Sequence, residues 1–492
     1  MDSFDPAQVD IPTGHFIDGK LVEAGGTPLD VICPSSGRPY ADLSLASPDT
    51  VARAADGAWH AFRHSGWATC APRERARVLR RLADLVESDV RTLAPLEAIG
   101  STRPVRETAA WDVPYTAECL RFYAEHADKH GGELAATDPS HLGMTITEPI
   151  GVVAAIAPWN FPLVMAAWKI APALAAGNAV VLKPSEMTPF SVLRLAELAI
   201  QAGVPANIFN VVQGDGRTTG DALVRHPRVG KVTFTGSTRT GAAIMAACAQ
   251  SGTKPVTLEL GGKSPQVVFA DVPDLDAVAR RVAMGITGNA GQVCNAGSRL
   301  VVEAGIADAL LEKLRAIFAS LHPGATWSAG TTLSPIISEA QVQRIDALVV
   351  RARDAGASVY CGAERATAYQ DGAWYTPTVL TGVTPHAEIV REEVFGPVLT
   401  VQTFTSEEEA LQLAQHDDYG LAAGVHTANL GCALRMVRGI DAGNIWVNRY
   451  GRSSDFVLPT GGFKRSGLGK DLGRQAFEAN LRSKAVLIDL NG

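Results

Sequence analysis

Residues 151–260 constrain the fold most, because short apolar runs alternate there with segments of helical periodicity. Continuous apolar runs are typical of strands buried on both faces, and their alternation with helices predicts a parallel sheet. Connections between parallel strands are right-handed, so we predict a Rossmann-like doubly wound domain. The predicted strands are 151–157, 179–182, 208–212, 232–235 and 256–260.

A second region, residues 265–448, also alternates between strand-like and helical segments and predicts a separate α/β domain. Its predicted strands are 266–269, 300–302, 398–401 and 444–447. Its predicted helices are 275–288, 307–321, 338–355 and 406–415.

The remaining segments are predicted to pack around these domains. Amphipathic segments at 48–62, 73–99 and 111–130 predict packing helices, to which we assign no chemistry. Residues 131–148 predict a hairpin, which is either an ordinary surface hairpin or an arm that leaves its domain. A terminal strand at 484–490 needs an edge to pair with, in this chain or in another subunit.

Length and composition limit the classes of function. A chain of 492 residues predicts two or three domains. The net charge is −7 and no basic block occurs, so a nucleic acid partner is not expected. The amino terminus lacks an apolar signal segment, and the apolar runs are too short to span a membrane. Seven widely spaced cysteines without a Cys-x-x-Cys pair indicate a reducing cytoplasm, and no metal is expected.

One cysteine, Cys294, lies among small and amide residues in 288–299, between a predicted helix and a predicted strand. Small neighbours leave room for a ligand to reach the sulfur. A thiolate there would be a strong nucleophile once its pKa is lowered or its proton is removed. A cysteine considered alone is more often a buried structural residue. The surrounding chain must decide between these interpretations.

Two segments at the ends of predicted strands could bind a dinucleotide. The turn in 234–241 suits a pyrophosphate at a helix N-terminus, although Ser237 could equally be a plain helix cap. Lys183 and Glu186 could hydrogen-bond ribose hydroxyls, or they could belong to a solvated helix start. Glu186 would repel a 2′-phosphate, so the sequence favours NAD over NADP.

Further polar side chains suit a reaction at a carbonyl group. Asn160 could hold an oxyanion with its uncharged amide, or it could simply form a turn. Glu259 is either a surface residue at a strand end or a buried carboxylate whose raised pKa suits a general base. Glu393 and Phe395 would share one face of an extended segment, where they could hold a ribose hydroxyl and a nicotinamide ring.

Taken together, these segments resemble the aldehyde dehydrogenase superfamily over residues 15–490. The resemblance implies an NAD(P)-dependent, non-acylating enzyme with a Rossmann-like NAD-binding domain, a second α/β catalytic domain and a small β oligomerisation arm. Seven motifs carry it by their joint order and spacing: Pro158-Trp-Asn-Phe-Pro, Lys183-Pro-Ser-Glu, Phe234-Thr-Gly-Ser-Thr, Leu258-Glu-Leu-Gly-Gly-Lys, Gly291-Gln-Val-Cys, Glu392-Glu-Val-Phe-Gly-Pro and Gly461-Gly-Phe-Lys-Arg-Ser-Gly.

The resemblance implies a role for each reacting group. Cys294 attacks the aldehyde carbon, and the Asn160 amide holds the oxyanion together with the Cys294 N–H. Hydride passes to the nicotinamide and leaves a thioester, which water activated by Glu259 hydrolyses to a carboxylic acid. Lys169 and Asp471 stand where the family has a proton path, although the acidic residue is more often Glu. The order is physically reasonable, because hydride leaves only after the carbon bears an alkoxide-like oxygen.

The resemblance also assigns residues to the cofactor and to a substrate tunnel. Expected cofactor contacts are Ala157, Trp159, Lys183, Ser185, Glu186, Gly214, Phe234, Gly236, Ser237, Leu260, Gly261, Glu393 and Phe395. Expected tunnel residues are Phe161, Met165, Trp168, Val293, Asn295, Phe456 and Thr460.

The implied domain boundaries are discontinuous. Residues 1–127 and 148–260 would form the NAD-binding domain, and 261–464 the catalytic domain. Residues 128–147 and 477–492 would be the oligomerisation arm and tail, which pair across the subunits of a homo-oligomer, a tetramer rather than a dimer. The expected partner is a small-molecule aldehyde.

The chain departs from the common family pattern near the substrate. Thr460 stands where many relatives have an aromatic residue, so one wall of an expected aromatic box is missing. Arg449 and Arg452, in a loop that also contains Asp455, could pair with a substrate carboxylate or could be solvated or at a subunit contact. A dedicated carboxylated-semialdehyde dehydrogenase and a non-catalytic structural or binding member are therefore alternatives.

Overall fold

Two α/β sheets organise the chain in the computed structural model, which describes residues 1–23, 25–366, 372–452 and 456–491. Within these residues the first sheet has eight strands and the second has seven. The predicted α/β class and the Rossmann-like half are therefore confirmed.

Five parallel strands form the centre of the first sheet, in the 3-2-1-4-5 order of a doubly wound fold. The hairpin of His15–Ile17 and Lys20–Val22 extends one edge, and Gly467–Leu468 pairs antiparallel with the strand at the other. The order of the chain reverses between the third and fourth strands in space, where such folds bind ligands. From edge to edge the five strands are Phe209–Val211, Ala179–Lys183, Val152–Ile156, Val229–Thr235 and Val256–Glu259.

Helices cover both faces of this sheet because its strands are apolar on both faces. All five residues of Val152–Ile156 are buried, for example. The helices are Pro48–His64, Pro72–Ser88, Val90–Gly100, Val105–Glu107, Val113–His126, Pro162–Ala175, Ser191–Ala202, Asp221–Arg225, Thr238–Gln250 and Gly473–Glu478.

Two predicted helices differ from the structure. The prediction of one helix over 73–99 is wrong, since the chain leaves helical geometry at Asp89 (φ −88°, ψ 13°), whose carboxylate ion-pairs with Arg194 at 2.8 Å. The predicted helix at 111–130 ends at His126 and is preceded by a π-turn over Thr108–Asp112.

The second sheet is parallel except for one antiparallel edge pair. The sequence missed three of its strands, of which the edge strand Ser358–Cys361 is exposed or half-buried and Ala422–His426 is rich in Ala and Gly. From edge to edge the strands are Ser358–Cys361, Thr378–Thr381, Val398–Phe404, Arg299–Glu303, Pro265–Val268, Ala422–His426 and Asn444–Val447. Its helices are Leu275–Thr287, Ala307–Ala319, Glu339–Asp354, Glu388–Arg391, Glu407–Ala414 and Leu430–Gly439.

A three-stranded sheet stands apart from both. The terminal strand Leu481–Asp489 pairs antiparallel with His141–Pro149 of the same chain, from Leu481 opposite Pro149 to Asp489 opposite His141. Leu134–Ala135 pairs with the other edge of His141–Pro149, so the predicted hairpin is present. The tail thus finds an edge within its own chain, one of the two possibilities that the sequence left open. The outer edge of the tail has no strand partner among the described residues.

In the part of the chain that the structure describes, no helix has the length and apolar character needed to cross a membrane.

Candidate active site

A cleft opens at the reversal point of the first sheet, where strands Val152–Ile156 and Val229–Thr235 end side by side. Its free volume is about 350 Å³. Eight of the thirteen predicted cofactor residues line it: Ala157, Trp159, Lys183, Ser185, Glu186, Phe234, Gly236 and Ser237. The sequence did not single out the other lining residues, which are Ile156, Pro158, Met187, Gly216, Gly220, Asp221, Val224, Thr235, Thr240, Ala243, Ile244 and Ala247.

Lys183 is buried at the floor of this cleft. Its ammonium donates to the carbonyl oxygens of Pro184 and Gly214, each at 2.6 Å, and lies 3.6 Å from a Glu186 carboxylate oxygen. Burial lowers the pKa of Lys183, and the Glu186 charge opposes that shift. The alternative of a solvated lysine is therefore wrong. Gly214, another expected cofactor residue, does not line the cleft, but its carbonyl oxygen is one of the two that accept from Lys183.

Ser237 is the N-cap of helix Thr238–Gln250, and its hydroxyl accepts from the Thr240 N–H at 3.2 Å. The same residue lines the cleft, so the capping and cleft interpretations hold together. Val224 and Ile244 bring apolar side chains from two helices to the wall of the cleft. Their positions depend on how these two helices pack on the sheet, so the local sequence could not predict that they line the cleft.

Glu393 and Phe395 lie beside the segment that follows the last strand of the first sheet. Glu393 accepts from the Gly262 N–H at 3.1 Å, and burial raises its pKa to about 7. The Phe395 ring packs edge-on against Trp159, with centroids 5.3 Å apart. The segment is not fully extended as predicted, because Phe395 has φ +54°, in the left-handed region. The remaining expected cofactor residues, Leu260 and Gly261, immediately precede Gly262 in the chain.

The loop that carries Cys294 begins with a strained turn. Asn289, Ala290 and Gly291 have φ of 48°, 51° and 73°, three consecutive residues in the left-handed region. Such conformations cost non-glycine residues about 1–3 kcal/mol each and persist only where the surroundings fix them. Gln292 fixes this turn by donating from its amide to the carbonyl oxygens of Asn289 and Pro335, each at 3.0 Å.

Cys294 is half-buried rather than enclosed in a core. Burial raises the pKa of its thiol to about 12, and the negative charges of Glu259 and Glu393 add to the rise. The chain passes very close behind it, because a Cβ on Gly262 would lie 2.8 Å from the Cys294 carbonyl oxygen. The Cys294 thiol is therefore harder to deprotonate than a solvated cysteine.

Asn160 reaches this loop from the end of the first-sheet strand Val152–Ile156. Its side-chain amide donates to the Gln292 carbonyl oxygen at 2.9 Å, two residues before Cys294. The Asn289 amide donates in turn to the Asn160 carbonyl oxygen at 3.1 Å. Asn160 therefore lies in a chain bend, as the alternative interpretation required, and also beside the cysteine loop.

Glu259 ends the strand Val256–Glu259 and is 5% exposed, so the surface interpretation is wrong. One of its carboxylate oxygens is buried without a hydrogen-bond partner among the described residues. Burial raises its pKa well above the usual range, and the charge of Asp471 adds to the rise while Lys169 and Lys470 oppose it. Gly461 leaves the space that Glu259 occupies, since a Cβ there would lie 2.6 Å from this unpartnered oxygen.

Lys169 and Asp471 form a buried ion pair at 3.0 Å, behind the predicted base. Lys169 also donates to the Thr233 hydroxyl at 3.3 Å. The charges of both affect the Glu259 carboxyl group, so these residues and the Cys294 thiol form one electrostatic cluster.

The predicted tunnel residues come from several parts of the chain. Phe161 caps the N-terminus of helix Pro162–Ala175, and Met165 and Trp168 follow it at helical spacing, so the three fall on one face. Phe456 packs on Tyr115 with ring centroids 4.6 Å apart. The other three are Val293, which packs on the core of the second sheet, Asn295, whose carbonyl accepts from Tyr450, and Thr460, whose backbone pairs with Asp471.

An aromatic wall, formed by Trp111 and Tyr115, faces this helix, and the sequence analysis did not predict it. Trp111 stacks on Tyr115 with centroids 4.6 Å apart and meets Phe161 edge-on at 5.9 Å. Both residues lie in the segment 111–130, to which we assigned no chemistry. Their aromatic character in an otherwise packing helix was the available signal.

The two loop arginines have different environments. Arg449 is exposed, in agreement with the solvated interpretation. Arg452 is half-buried, and its guanidinium lies 5.8 Å from the centre of the Trp168 ring. Asp455 lies outside the described residues.

A doubly wound α/β fold with a cleft at its reversal point, and a half-buried cysteine near two glutamates that act on its pKa, are features to compare with known proteins. The Aldehyde dehydrogenase family profile matches residues 21–486. An NADP/NAD-dependent aldehyde dehydrogenase of Escherichia coli is 41% identical over 96% of this chain and 95% of its own. An aminoacetaldehyde dehydrogenase of Pseudomonas aeruginosa is 42% identical over 98% of this chain and 97% of its own.

Solved structures agree with this result. An indole-3-acetaldehyde dehydrogenase of P. syringae, solved with NAD+ and IAA, has a TM-score of 0.96 at 40% identity and covers 99% of this chain and 98% of its own. The chain belongs to the aldehyde dehydrogenase family. It is an NAD(P)-dependent oxidoreductase that oxidises aldehydes to carboxylic acids, which confirms the predicted class of function.

The raised pKa of the Cys294 thiol predicts slow alkylation that continues to accelerate at high pH. With a thiol pKa of about 12, the rate of carbamidomethylation of Cys294 should rise about tenfold per pH unit with no plateau below roughly pH 10. Peptide mass spectrometry measures the rate at this residue, with a small free thiol alkylated in parallel as the reference. If the alkylation rate of Cys294 levels off at the same pH as that of the free thiol, or at a lower pH, the prediction is wrong.

Proposed function

We propose that Cys294 is the nucleophile, that the Asn160 amide and the Cys294 N–H stabilise the oxyanion, and that Glu259 is the general base. The observation that carries this proposal is the hydrogen bond of Asn160 to the carbonyl oxygen of Gln292, which brings the amide beside the cysteine loop. The dependence of the Cys294 pKa on Glu259 supports the same arrangement, because the charges must be close to interact.

The resting thiol must lose its proton before it attacks. Its pKa is raised to about 12, so a base is required near neutral pH. Glu259 has an unpartnered carboxylate oxygen and a pKa raised toward that of a useful acceptor. The sulfur then adds to the aldehyde carbon, and the carbonyl oxygen becomes an alkoxide that the two N–H donors can hold.

Loss of hydride from this adduct leaves an acyl group on the sulfur as a thioester. A bound nicotinamide supplies the hydride acceptor. Once Glu259 has passed on the thiol proton, it takes a proton from water as the resulting hydroxide adds to the thioester, and collapse of this adduct releases the carboxylic acid and the Cys294 thiolate. The ion pair of Lys169 and Asp471, whose charges act on Glu259, is the proposed path by which each proton leaves Glu259. Hydrolysis by this base favours free acid as product over acyl-CoA.

The Glu259→Gln variant tests these roles. Because it keeps the shape of the side chain but cannot take a proton from water, steady-state turnover should fall by about a hundredfold or more. If acylation is slowed less than hydrolysis, stopped-flow absorbance should show a burst of about one NADH per active site, with rapid quench showing bound acyl groups.

The matched control is Cys294→Ala, which should form no NADH at all but retain NAD+ affinity in calorimetry. Full turnover by Cys294→Ala would contradict the assignment of the nucleophile. Unimpaired hydrolysis in Glu259→Gln would contradict the assignment of the base.

We further propose that NAD is the preferred cofactor and that the adenosine ribose binds near Glu186. Ser185 and Glu186 line the cleft beside the Lys183 ammonium, a set of donors and acceptors that suits ribose hydroxyls. The proposed diphosphate position is the N-terminus of helix Thr238–Gln250, whose free N–H groups attract an anion. Val224 and Ile244 would enclose the adenine between apolar side chains.

Substitution of Glu186 by Gln should relax this preference. Removal of the carboxylate removes its repulsion of a 2′-phosphate, so the ratio of kcat/KM for NADP to that for NAD should rise by about tenfold. Glu364→Gln, at an exposed site outside the cleft, is the control for a general change of charge. An unchanged ratio in Glu186→Gln would count against a ribose contact at this residue.

We also propose a cytoplasmic homo-oligomer, a tetramer rather than a dimer, with an interface at the three-stranded sheet. Its faces carry exposed apolar side chains at Leu134, Leu142, Ile146, Leu487 and Ile488, and the outer edge of the tail strand is open. Free thiols at all seven cysteines fit a reducing compartment.

Sedimentation velocity tests the interface. Leu487→Asp should shift the wild-type oligomer to smaller species, because it places a charge in an apolar contact. Met284→Asp is the matched control, since Met284 is similarly exposed (61% against 65% for Leu487) but lies on a helix of the second sheet. A monomeric wild type, or an oligomer unaffected by Leu487→Asp, would refute this interface.

A further inference from the structure

Two arginines border the aromatic wall that faces helix Pro162–Ala175, and their charges are balanced differently. The Arg103 guanidinium lies 4.6 Å from the centre of the Phe161 ring and is only 5% exposed. It ion-pairs with Asp112 at 3.0 Å and with Glu107 at 2.5 Å. Two carboxylates therefore neutralise Arg103 within the protein, and it has no charge left to offer a ligand.

Arg452 has no such partner in the described ranges, which leave out residues 453–455 of its loop. It donates from Nη2 to the Leu458 carbonyl oxygen at 2.8 Å and lies over the Trp168 ring at 5.8 Å. Its Nε is buried without a hydrogen-bond partner, and no carboxylate among the described residues forms an ion pair with it. Asp471, behind the same wall, is already paired with Lys169 at 3.0 Å.

The charge of Arg452 acts on the wall itself. Burial raises the pKa of Tyr115 to about 12, and Arg452 opposes that rise, so the guanidinium lies close to the Tyr115 hydroxyl. Tyr115 in turn packs on Phe456 with ring centroids 4.6 Å apart. A guanidinium with an unpartnered Nε–H and, within the part of the chain that the structure describes, no carboxylate partner thus lies among aromatic side chains, where an acceptor of opposite charge would find little competition from water.

The position of Arg452 along the wall sets the length of a matching ligand. Asn160 lies two residues before helix Pro162–Ala175, and Trp168 lies six residues after Pro162, a helical rise of roughly 9 Å. Side chains on a helix lean toward its N-terminus, which shortens the span between the two groups. A ligand that reached from Asn160 to Arg452 would therefore carry its two polar ends several carbons apart.

We propose that Arg452 is a specificity-determining residue that binds a carboxylate at the far end of the substrate, so that the preferred substrates are ω-carboxylated aldehydes. The proposal rests on the proposed function, which places the aldehyde carbonyl at Asn160 and Cys294. A neutral aliphatic aldehyde leaves the Nε–H unpaired, and a cationic aldehyde is repelled. Arg452 binds and positions substrate and takes no part in bond making.

The test compares aldehydes of matched chain length that end in a methyl group, a carboxylate or a trimethylammonium group, over a series of chain lengths. Wild-type kcat/KM should be highest for the carboxylated aldehyde at the best chain length, by about tenfold over the neutral one, as expected for one charge-assisted hydrogen bond. The trimethylammonium aldehyde should be the poorest substrate. No preference of the wild type for the carboxylated aldehyde at any chain length would overturn the proposal.

Variants assign the preference to one side chain. Arg452→Met removes the charge and should reduce the ratio of carboxylated to neutral kcat/KM by about tenfold, chiefly through KM. Arg452→Lys, which keeps the charge but not the planar donor group, should retain part of the ratio. Arg449→Met, an exposed arginine on the same loop, should retain all of it. The same preference in Arg452→Met as in the wild type, or its loss in Arg449→Met, would refute the assignment.

Inhibition by dicarboxylates gives a second readout of carboxylate binding, because these inhibitors are not themselves oxidised. A dicarboxylate should inhibit hexanal oxidation more strongly than the monocarboxylate of equal length in the wild type, and equally in Arg452→Met. If no aldehyde is oxidised, or if oxidation persists in Cys294→Ala, the proposed function fails. If aldehydes are oxidised through Cys294 without a charge preference, only the role of Arg452 fails.

Discussion

The hydrogen bond from the Asn160 side-chain amide to the Gln292 carbonyl oxygen joins a segment of the first sheet to the loop that carries Cys294, the proposed nucleophile. Asn160 follows a strand of the first sheet, and Gln292 lies in the loop that leads into strand Arg299–Glu303 of the second. Both groups are buried, and the same carbonyl oxygen also accepts from the Asn289 amide at 3.4 Å, so two side-chain amides hold the loop two residues before Cys294. The relative position of the Asn160 amide and the Cys294 sulfur therefore depends on a contact between distant parts of the chain.

The strain in the cysteine loop is maintained by the same network. Asn289 and Ala290 adopt left-handed conformations, which asparagine tolerates and alanine does not favour. Asn289 is fixed by its amide contact with Asn160 and by the Thr102 hydroxyl, which donates to its side-chain oxygen at 2.7 Å. The local cost is thus offset by long-range hydrogen bonds, and the turn presents Cys294 half-buried rather than packed into a core.

Burial also explains the electrostatics of the site. Glu259, Glu393 and Cys294 all have raised pKa values, because each loses water and lies near other negative groups. Lys169 and Lys470 moderate the rise at Glu259 without pairing with it directly. A carboxylate whose pKa is raised in this way is a stronger proton acceptor than a solvated glutamate.

The sequence predicted the parts of this arrangement that depend on local pattern. Apolar runs between residues 151 and 260 predicted the first sheet, and the rule that ligands bind at the carboxyl ends of parallel strands led to Lys183, Glu186 and Ser237 at the cleft. The resemblance to the family selected Cys294 from seven cysteines, which composition could not do. The role of each selected residue in the reaction stays a prediction.

Other features depend on contacts between distant segments, and local pattern could not predict them. The carbonyl partners of Lys183 lie on two different loops, and the left-handed turn at Ala290 has no signature in an alanine. Trp111 and Tyr115 read as packing residues, because only the folded chain brings them against Phe161 and Phe456. The different environments of Arg449 and Arg452 have the same cause.

The Cys294 sulfur is the group that we expect to carry the acyl group during turnover. Acid quenching of the protein with NAD+ and an aldehyde, followed by peptide mass spectrometry, measures this directly. We expect a mass increase of one acyl group on the peptide that contains Cys294 and on no other cysteine peptide. An acyl adduct on a different cysteine, with an unmodified Cys294 while NADH accumulates, would contradict it.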